Sequence, residues 1–191
     1  MRILEDRIKK DGRFLGNNVL KVDSFLNHQV DPDLMLIIGK EFYKRFKNEK
    51  ISKILTVESS GISPALITGL QFHVPIIFAR KHQSLTLNDN LYTSTVYSYT
   101  KKVNNKISIS NKFLTSKDHV LIIDDFLANG QAVEGLIDII KQSGATLCGV
   151  GIVIEKTFQK GRKLLDKRGI RVESLARIKN FDNDEIHFID E

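Results

Sequence analysis

The sequence has one cysteine, Cys148, so an internal disulfide is excluded and a reducing compartment is the simplest setting. No apolar run approaches the roughly 20 residues that a membrane span needs. The opening stretch, MRILEDRIKKDGRF, has no apolar core of signal-peptide length. These absences point to a cytoplasmic protein. Internal repeats, low-complexity tracts and linkers are also missing, which predicts one domain over 1–191. His28, His73, His82, His119 and His187 show no metal-ligand spacing. There is no GxxxxGK[ST], and Gly149-Val150-Gly151 falls inside a predicted strand, so neither a P-loop nor a dinucleotide fingerprint is indicated. What is present is the composition of a globular protein, 41% hydrophobic and 27% charged. Its net charge of +6 favours an anionic partner, either nucleic acid or a polyanionic small molecule.

The stretch VLIIDDFLANGQA, residues 120–132, carries the most information. Val120 to Ile123 suit a buried strand, which the pattern ends in two carboxylates, Asp124 and Asp125. In the loop Phe126-Leu127-Ala128-Asn129-Gly130, the glycine can take positive φ and let the backbone approach a ligand. From Gln131 the apolar spacing is helical as far as Gly144. A loop that enters a helix N-terminus presents unpaired N–H groups and suits a phosphate. Two carboxylates beside a phosphate repel it unless they hold a cation such as Mg2+ or accept from hydroxyls, and a ribose 5-phosphate supplies the hydroxyls.

Along the chain, residues 1–11 read as an amphipathic helix with Ile3, Leu4 and Ile8 on one side, and Val19 to Asn27 as an irregular flap. Asp31-Pro32 starts a helix running to about Asn48. Ile51 to Val57 is a predicted strand, followed by Glu58-Ser59-Ser60-Gly61, a helix opened by Ser63 and Pro64, and a strand from Val74 to Ala79. Residues 81–118 turn polar, with Thr93 to Thr100 pairing with Lys106 to Ser110 as a hairpin, a candidate lid. A strand at 147–154, a helix at 158–168 and strands at 171–178 and 185–189 complete the chain. The pattern predicts an α/β fold, an open and mostly parallel twisted sheet flanked by helices, with ligands beyond the carboxyl ends of its strands. Asp124, Glu58, Lys81 and Glu155-Lys156 are predicted at four such ends, with Lys81 a candidate counter-charge.

The stretch VLIIDDFLANGQA resembles the signature of the type I phosphoribosyltransferases, which bind 5-phosphoribosyl 1-diphosphate (PRPP) with Mg2+. KVDSFLNHQVDP (21–32), ESSGISPA (58–65), ARKHQSLTL (79–87) and GIVIEKTFQ (151–159) are similar to the bacterial xanthine-using branch of that family, over nearly the whole chain. The resemblance implies the type I fold, purine salvage, a homodimer, and synthesis of xanthosine 5'-monophosphate from xanthine and PRPP. It places the 5'-phosphate on Ala128, Asn129, Gly130, Gln131 and Ala132, and the diphosphate on Ser59, Ser60 and Gly61 near Lys81. It places the ribose on Asp124 and Asp125, and xanthine against Leu20, Asn27 and Lys156, with no resident metal beyond the Mg2+ that accompanies PRPP. Some relatives that use 6-oxopurines carry an aspartate before the loop glycine; Ala128-Asn129 stands there, so no general base is assigned. Two alternatives share these motifs: a purine enzyme of guanine/hypoxanthine or adenine type, and a PRPP-sensing transcriptional regulator, for which 191 residues leave little room for a DNA-binding helix pair.

Overall fold

The computed structural model describes residues 1–16, 18–81, 90–98, 103–182 and 185–189. The chain opens with α1 (Arg2–Asp11), whose Leu4 and Ile8 are fully buried, while Ile3, expected on the same side, is 55% exposed. A short ladder joins β1 (Arg13–Phe14) to β2 (Leu20–Lys21), and one π-helical turn, Asp23–Asn27, follows. The segment read as an irregular flap is therefore anchored. Val22, Phe25 and Leu26 are buried in the same apolar cluster as α1, and Phe14 stacks on Phe181 with ring centroids 4.4 Å apart. Next comes α2 (Pro32–Phe46), which starts as predicted: the Asp31 carboxylate accepts from the N–H groups of Asp33 and Leu34, both at 3.1 Å, and proline takes the first turn.

Beyond it, β3 (Lys53–Val57), α3 (Ile62–Phe72) and β4 (Ile76–Ala79) form a parallel βαβ unit. No side chain caps α3, and it begins at Ile62 rather than behind a Ser63 cap. The hairpin is β5 (Leu91–Ser98) with β6 (Val103–Ser110), longer than the pattern suggests; Thr100 lies outside the described residues. The chain ends with β7 (His119–Leu127), α4 (Gln131–Ser143), β8 (Thr146–Lys156), α5 (Gly161–Lys167), β9 (Val172–Asp182) and β10 (Glu185–Phe188). Six of these strands form one sheet in the order β10-β9-β8-β7-β3-β4, parallel except where β10 meets β9. The expected mostly parallel sheet is present.

Alternation along β7 builds two apolar layers. Leu121 and Ile123 join the layer of α1 and α2, and Val120 and Ile122 join that of α4, α5 and the hairpin. The hairpin is held at its base by reciprocal backbone hydrogen bonds between Arg80 and Ser108 (2.9 and 3.0 Å). The Gln142 amide of α4 also binds both the N–H and the carbonyl of Thr93, at 3.2 and 2.8 Å.

The glycines of Gly149-Val150-Gly151 have a packing role. A Cβ on Gly151 would lie 2.6 Å from Ile123 Cδ1 and 2.8 Å from Phe42 Cε1, and one on Gly149 would lie 2.6 Å from Phe46 Cε1. The bare backbone is what lets the α2 aromatics sit on the sheet. Gly151→Ala should therefore destabilise by about 1–3 kcal/mol through overpacking. Urea denaturation reads this as a lowered midpoint, and an unchanged midpoint would mean that α2 can retreat at no cost.

Candidate active site

Four strands adjacent in the sheet, β8, β7, β3 and β4, end side by side. Their carboxyl ends carry Lys156, the loop at 128–130, the turn at 58–61 and Lys81, where an open parallel sheet binds ligands. A cavity of about 250 Å³ lies there, lined by Val57, Lys81, Phe126, residues 128–133 and the hairpin residues Val96, Tyr97, Asn105 and Ile107. Every residue from Ala128 to Ala132 thus faces one space with Lys81.

β7 runs four residues beyond its apolar run, to Leu127, so Asp124 and Asp125 lie within the strand. Alternation then gives them different neighbours. Asp124 approaches the 58–61 turn: a Cβ on Gly61 would sit 2.8 Å from Asp124 Oδ1 and 2.2 Å from Thr56 Oγ1. Asp125 acts on Lys156, holding its ammonium charge against the effect of burial. Gly130 adopts φ +82° and precedes α4 with no side-chain cap, so the first-turn N–H groups remain for a ligand. In the neighbouring turn, the Glu58–Ser59 peptide is cis, and the Glu58 carboxylate accepts from the Lys81 N–H at 2.6 Å. Ser59 is exposed, Ser60 half-buried and Gly61 buried.

Two groups are electrostatically unusual. Burial, reinforced by the charge of Asp125, pushes the Asp124 carboxyl well above the ordinary carboxylate range, while the Lys81 charge pulls it back. Burial lowers the Lys156 ammonium, and Asp125 opposes that shift. Lys156 Nζ donates to the Asn18 carbonyl at 2.8 Å and lies 5.3 Å from the centre of the Phe126 ring. The N-terminal segment therefore reaches the mouth of the site.

Not all of the expected residues converge. Leu20 is 7% exposed and belongs to the apolar cluster, Asn27 is exposed at the end of the π-helical turn, and neither lines the cavity. Glu155, expected at the crevice, is fully buried behind it, where Oε2 accepts from Arg162 Nη1 at 3.0 Å. Sequence reasoning missed Phe126, Tyr97, Asn105 and Thr56. Phe126 was legible only as a loop residue. Thr56 gave a fainter signal, a hydroxyl in an apolar run, and its buried Oγ1 has no hydrogen-bond partner among the described residues. Of the histidines, His82 lies outside the described residues. Among the described residues no three His, Cys, Asp or Glu side chains converge as a metal site.

This arrangement matches known proteins. A family model described as the phosphoribosyl transferase domain covers residues 29–188, and the chain belongs to that family. Within it, the chain is 71% identical over 191 residues to the xanthine phosphoribosyltransferase of Lacticaseibacillus casei, covering all of both chains. It is 64% identical to that of Leuconostoc mesenteroides, covering 99% of this chain and 100% of the relative. Among solved structures, the adenine phosphoribosyltransferase of Trypanosoma brucei, in complex with AMP, pyrophosphate and ribose-5-phosphate, superposes with a TM-score of 0.77. It shares 20% identity, with 91% of this chain and 79% of that chain covered. The enzyme of Rhodothermus marinus gives 0.76 at 19% identity, covering 93% of this chain and 100% of that one. At that distance the likeness establishes the type I fold.

A carboxyl whose folded pKa is raised binds its proton more tightly in the native state. Its stabilising contribution is full below the unfolded value of about 3.9 and is lost as pH rises through the folded value. Asp124→Asn removes that loss. The ligand-free variant should melt no lower than wild type at pH 8, and its melting temperature should vary less between pH 5 and 8. Turnover should fall on the order of 10²-fold. Calorimetry at the two pH values with an activity assay checks both, and a variant with full activity would remove Asp124 from the chemistry.

Proposed function

We propose that the protein transfers the 5-phosphoribosyl group of PRPP to xanthine, giving xanthosine 5'-monophosphate and diphosphate in purine salvage. The segment from Asp124 to Ala132 carries this reading. It joins a buried acid pair to a left-handed glycine and an uncapped helix N-terminus, and the glycine and the helix start line the cavity that Lys81 shares. Ala128, Asn129, Gly130, Gln131 and Ala132 hold the 5'-phosphate. Asp124 and Asp125 hold the ribose hydroxyls and favour the positive charge that gathers on the ring as the bond from C1 to diphosphate breaks. Ser59, Ser60, Gly61 and Lys81 receive the departing diphosphate. A purine nitrogen forms the new bond to C1 and sheds its proton to water, because Ala128-Asn129 offers no base and catalysis rests on positioning.

The acid pair beside a diphosphate subsite fits Mg2+, which prefers one or two carboxylates together with substrate oxygens. When bound, the ion supplies neutralising charge to the leaving group. The base lies between the Phe126 ring and the N-terminal segment, where Leu20 covers it, Asn27 reads its C2 end and Lys156 donates to its C6 carbonyl. Lys156 disfavours an adenine-type reading, since adenine carries a donor at C6. Cys148 is a free thiol, in keeping with a reducing cytoplasm.

The protein further acts as a homodimer. Two grooves share Pro75 and Ile76 at the edge strand β4, one lined by the exposed Leu66 and Leu70 and the other by Phe78 and Phe113, and this apolar edge suits a second copy. A Leu66→Glu, Leu70→Glu double variant should sediment as a monomer, and a variant that still sediments as a dimer would place the interface elsewhere.

Base choice gives the most discriminating test. Xanthine satisfies Lys156 at C6 and the Asn27 amide N–H at C2, guanine presents an amino group at C2, and hypoxanthine presents nothing there. An unpartnered polar group costs on the order of 1–3 kcal/mol, or roughly tenfold to a hundredfold in efficiency. The expected order is xanthine, then guanine and hypoxanthine, then adenine. In competition kinetics Asn27→Ala should narrow the gap between xanthine and hypoxanthine, and Lys156→Ala should depress all three oxopurines. Unchanged discrimination in Asn27→Ala would take that residue out of base reading.

A further inference from the structure

Behind the loop at 128–130 the structure holds a contact that the reaction scheme does not use. The first residue of α5, Gly161, lies against the loop, and its N–H donates to the Ala128 carbonyl at 2.9 Å. A Cβ on Gly161 would lie 2.6 Å from that carbonyl oxygen and 2.9 Å from the Gly130 nitrogen. A Cβ on Gly130 would in turn lie 3.0 Å from the Gly161 Cα. The two backbones are in mutual contact, with no room for a methyl group on either. Helix α5 is itself fixed from two sides. Arg162 Nη1 donates to Oε2 of the fully buried Glu155 at 3.0 Å, and Arg168 pairs with Glu134 in the first turn of α4. Glu155 stands opposite Leu127 in the β7–β8 ladder, so the Glu155–Arg162 pair ties α5 to the strand level at which the loop departs.

We propose that Gly161, with the Glu155–Arg162 pair behind it, is the positioning element that sets the height of the 5'-phosphate loop. The proposal rests on the reading of residues 128–132 as the phosphate site. Gly161 contacts the loop's rear and acts through Gly130 and Ala128, whereas the diphosphate turn at 58–61 belongs to a different strand and is independent of it. A role confined to α5 predicts the opposite sign for a substitution. Gly161 opens a helix without a left-handed backbone, so alanine there would stabilise the helix on propensity alone.

The test is calorimetric titration of wild type, Gly161→Ala and Arg162→Lys with ribose 5-phosphate and, separately, with diphosphate. Gly161→Ala should weaken ribose 5-phosphate roughly tenfold to a hundredfold, the scale of loss for a displaced binding group. Diphosphate affinity should stay within about twofold, since the 58–61 turn does not move. Arg162→Lys keeps a charge for Glu155 but loses the planar fork, and should show the same split in smaller measure; it decides the matter if the alanine variant does not fold. Equal loss of both ligands, or no loss of either, overturns the proposal while leaving the function intact. Wild type that fails to bind ribose 5-phosphate overturns the phosphate-site reading and this proposal together.

Discussion

The burial of Asp124 beside a second carboxylate is the constraint on which the site depends. At 4% exposure the group cannot be charged cheaply, and Asp125 next to it raises the cost. A fold selected for stability alone would place an apolar residue there, as at the preceding four positions of β7. The proposed ribose role offers a reason for the acid pair, since a ribose would supply hydroxyl donors and bring charge of the opposite sign at the moment of bond breaking. On that proposal stability and activity would oppose each other at this residue.

Much of the fold was legible because parallel strands buried on both faces appear as unbroken apolar runs. Strands β3, β7 and β8 were located from such runs, and α2 from its Asp31-Pro32 start. The misses share a cause. The strand β7 was expected to end at Asp124 because charged residues ordinarily mark a solvated end, yet backbone pairing with β8 continues to Leu127. Val22, Phe25 and Leu26 stand at i, i+3 and i+4, a helical spacing confined to one turn, and the irregular-flap reading passed over it although a π-helical turn buries them. Glu155 followed the rule that strand ends face the ligand, but a partner seven residues later, Arg162, draws its carboxylate to the rear.

The site residues divide in the same way. Ala128 to Ala132 and Lys81 were readable because one short segment or one strand end determines each position, and the structure brings them to one cavity. The proposed purine side draws on segments far apart in the chain, with Asn18 and Lys156 meeting across 138 positions. Spacing carries no information at that range, and only the resemblance placed Leu20, Asn27 and Lys156 together. Adenine phosphoribosyltransferases at about 20% identity share the fold. A fold shared this widely leaves the choice of base to particular side chains, which the proposal places on the N-terminal segment and at the end of β8.

Close backbone approach serves two purposes in this chain, and the difference explains where precision is needed. At Gly149 and Gly151 the bare backbone receives aromatic rings of α2, side chains that could shift by a few tenths of an ångström if crowded. At Gly130 and Gly161 backbone meets backbone, and neither partner has a rotamer with which to yield. A packed core tolerates the first kind of contact because burial depends on area, which small shifts preserve. A phosphate held by N–H groups requires the second, since hydrogen bonds weaken steeply with misalignment and the loop has no side-chain cap to hold it in place. On the proposed phosphate site, the glycine pair therefore stands where geometry would matter more than burial.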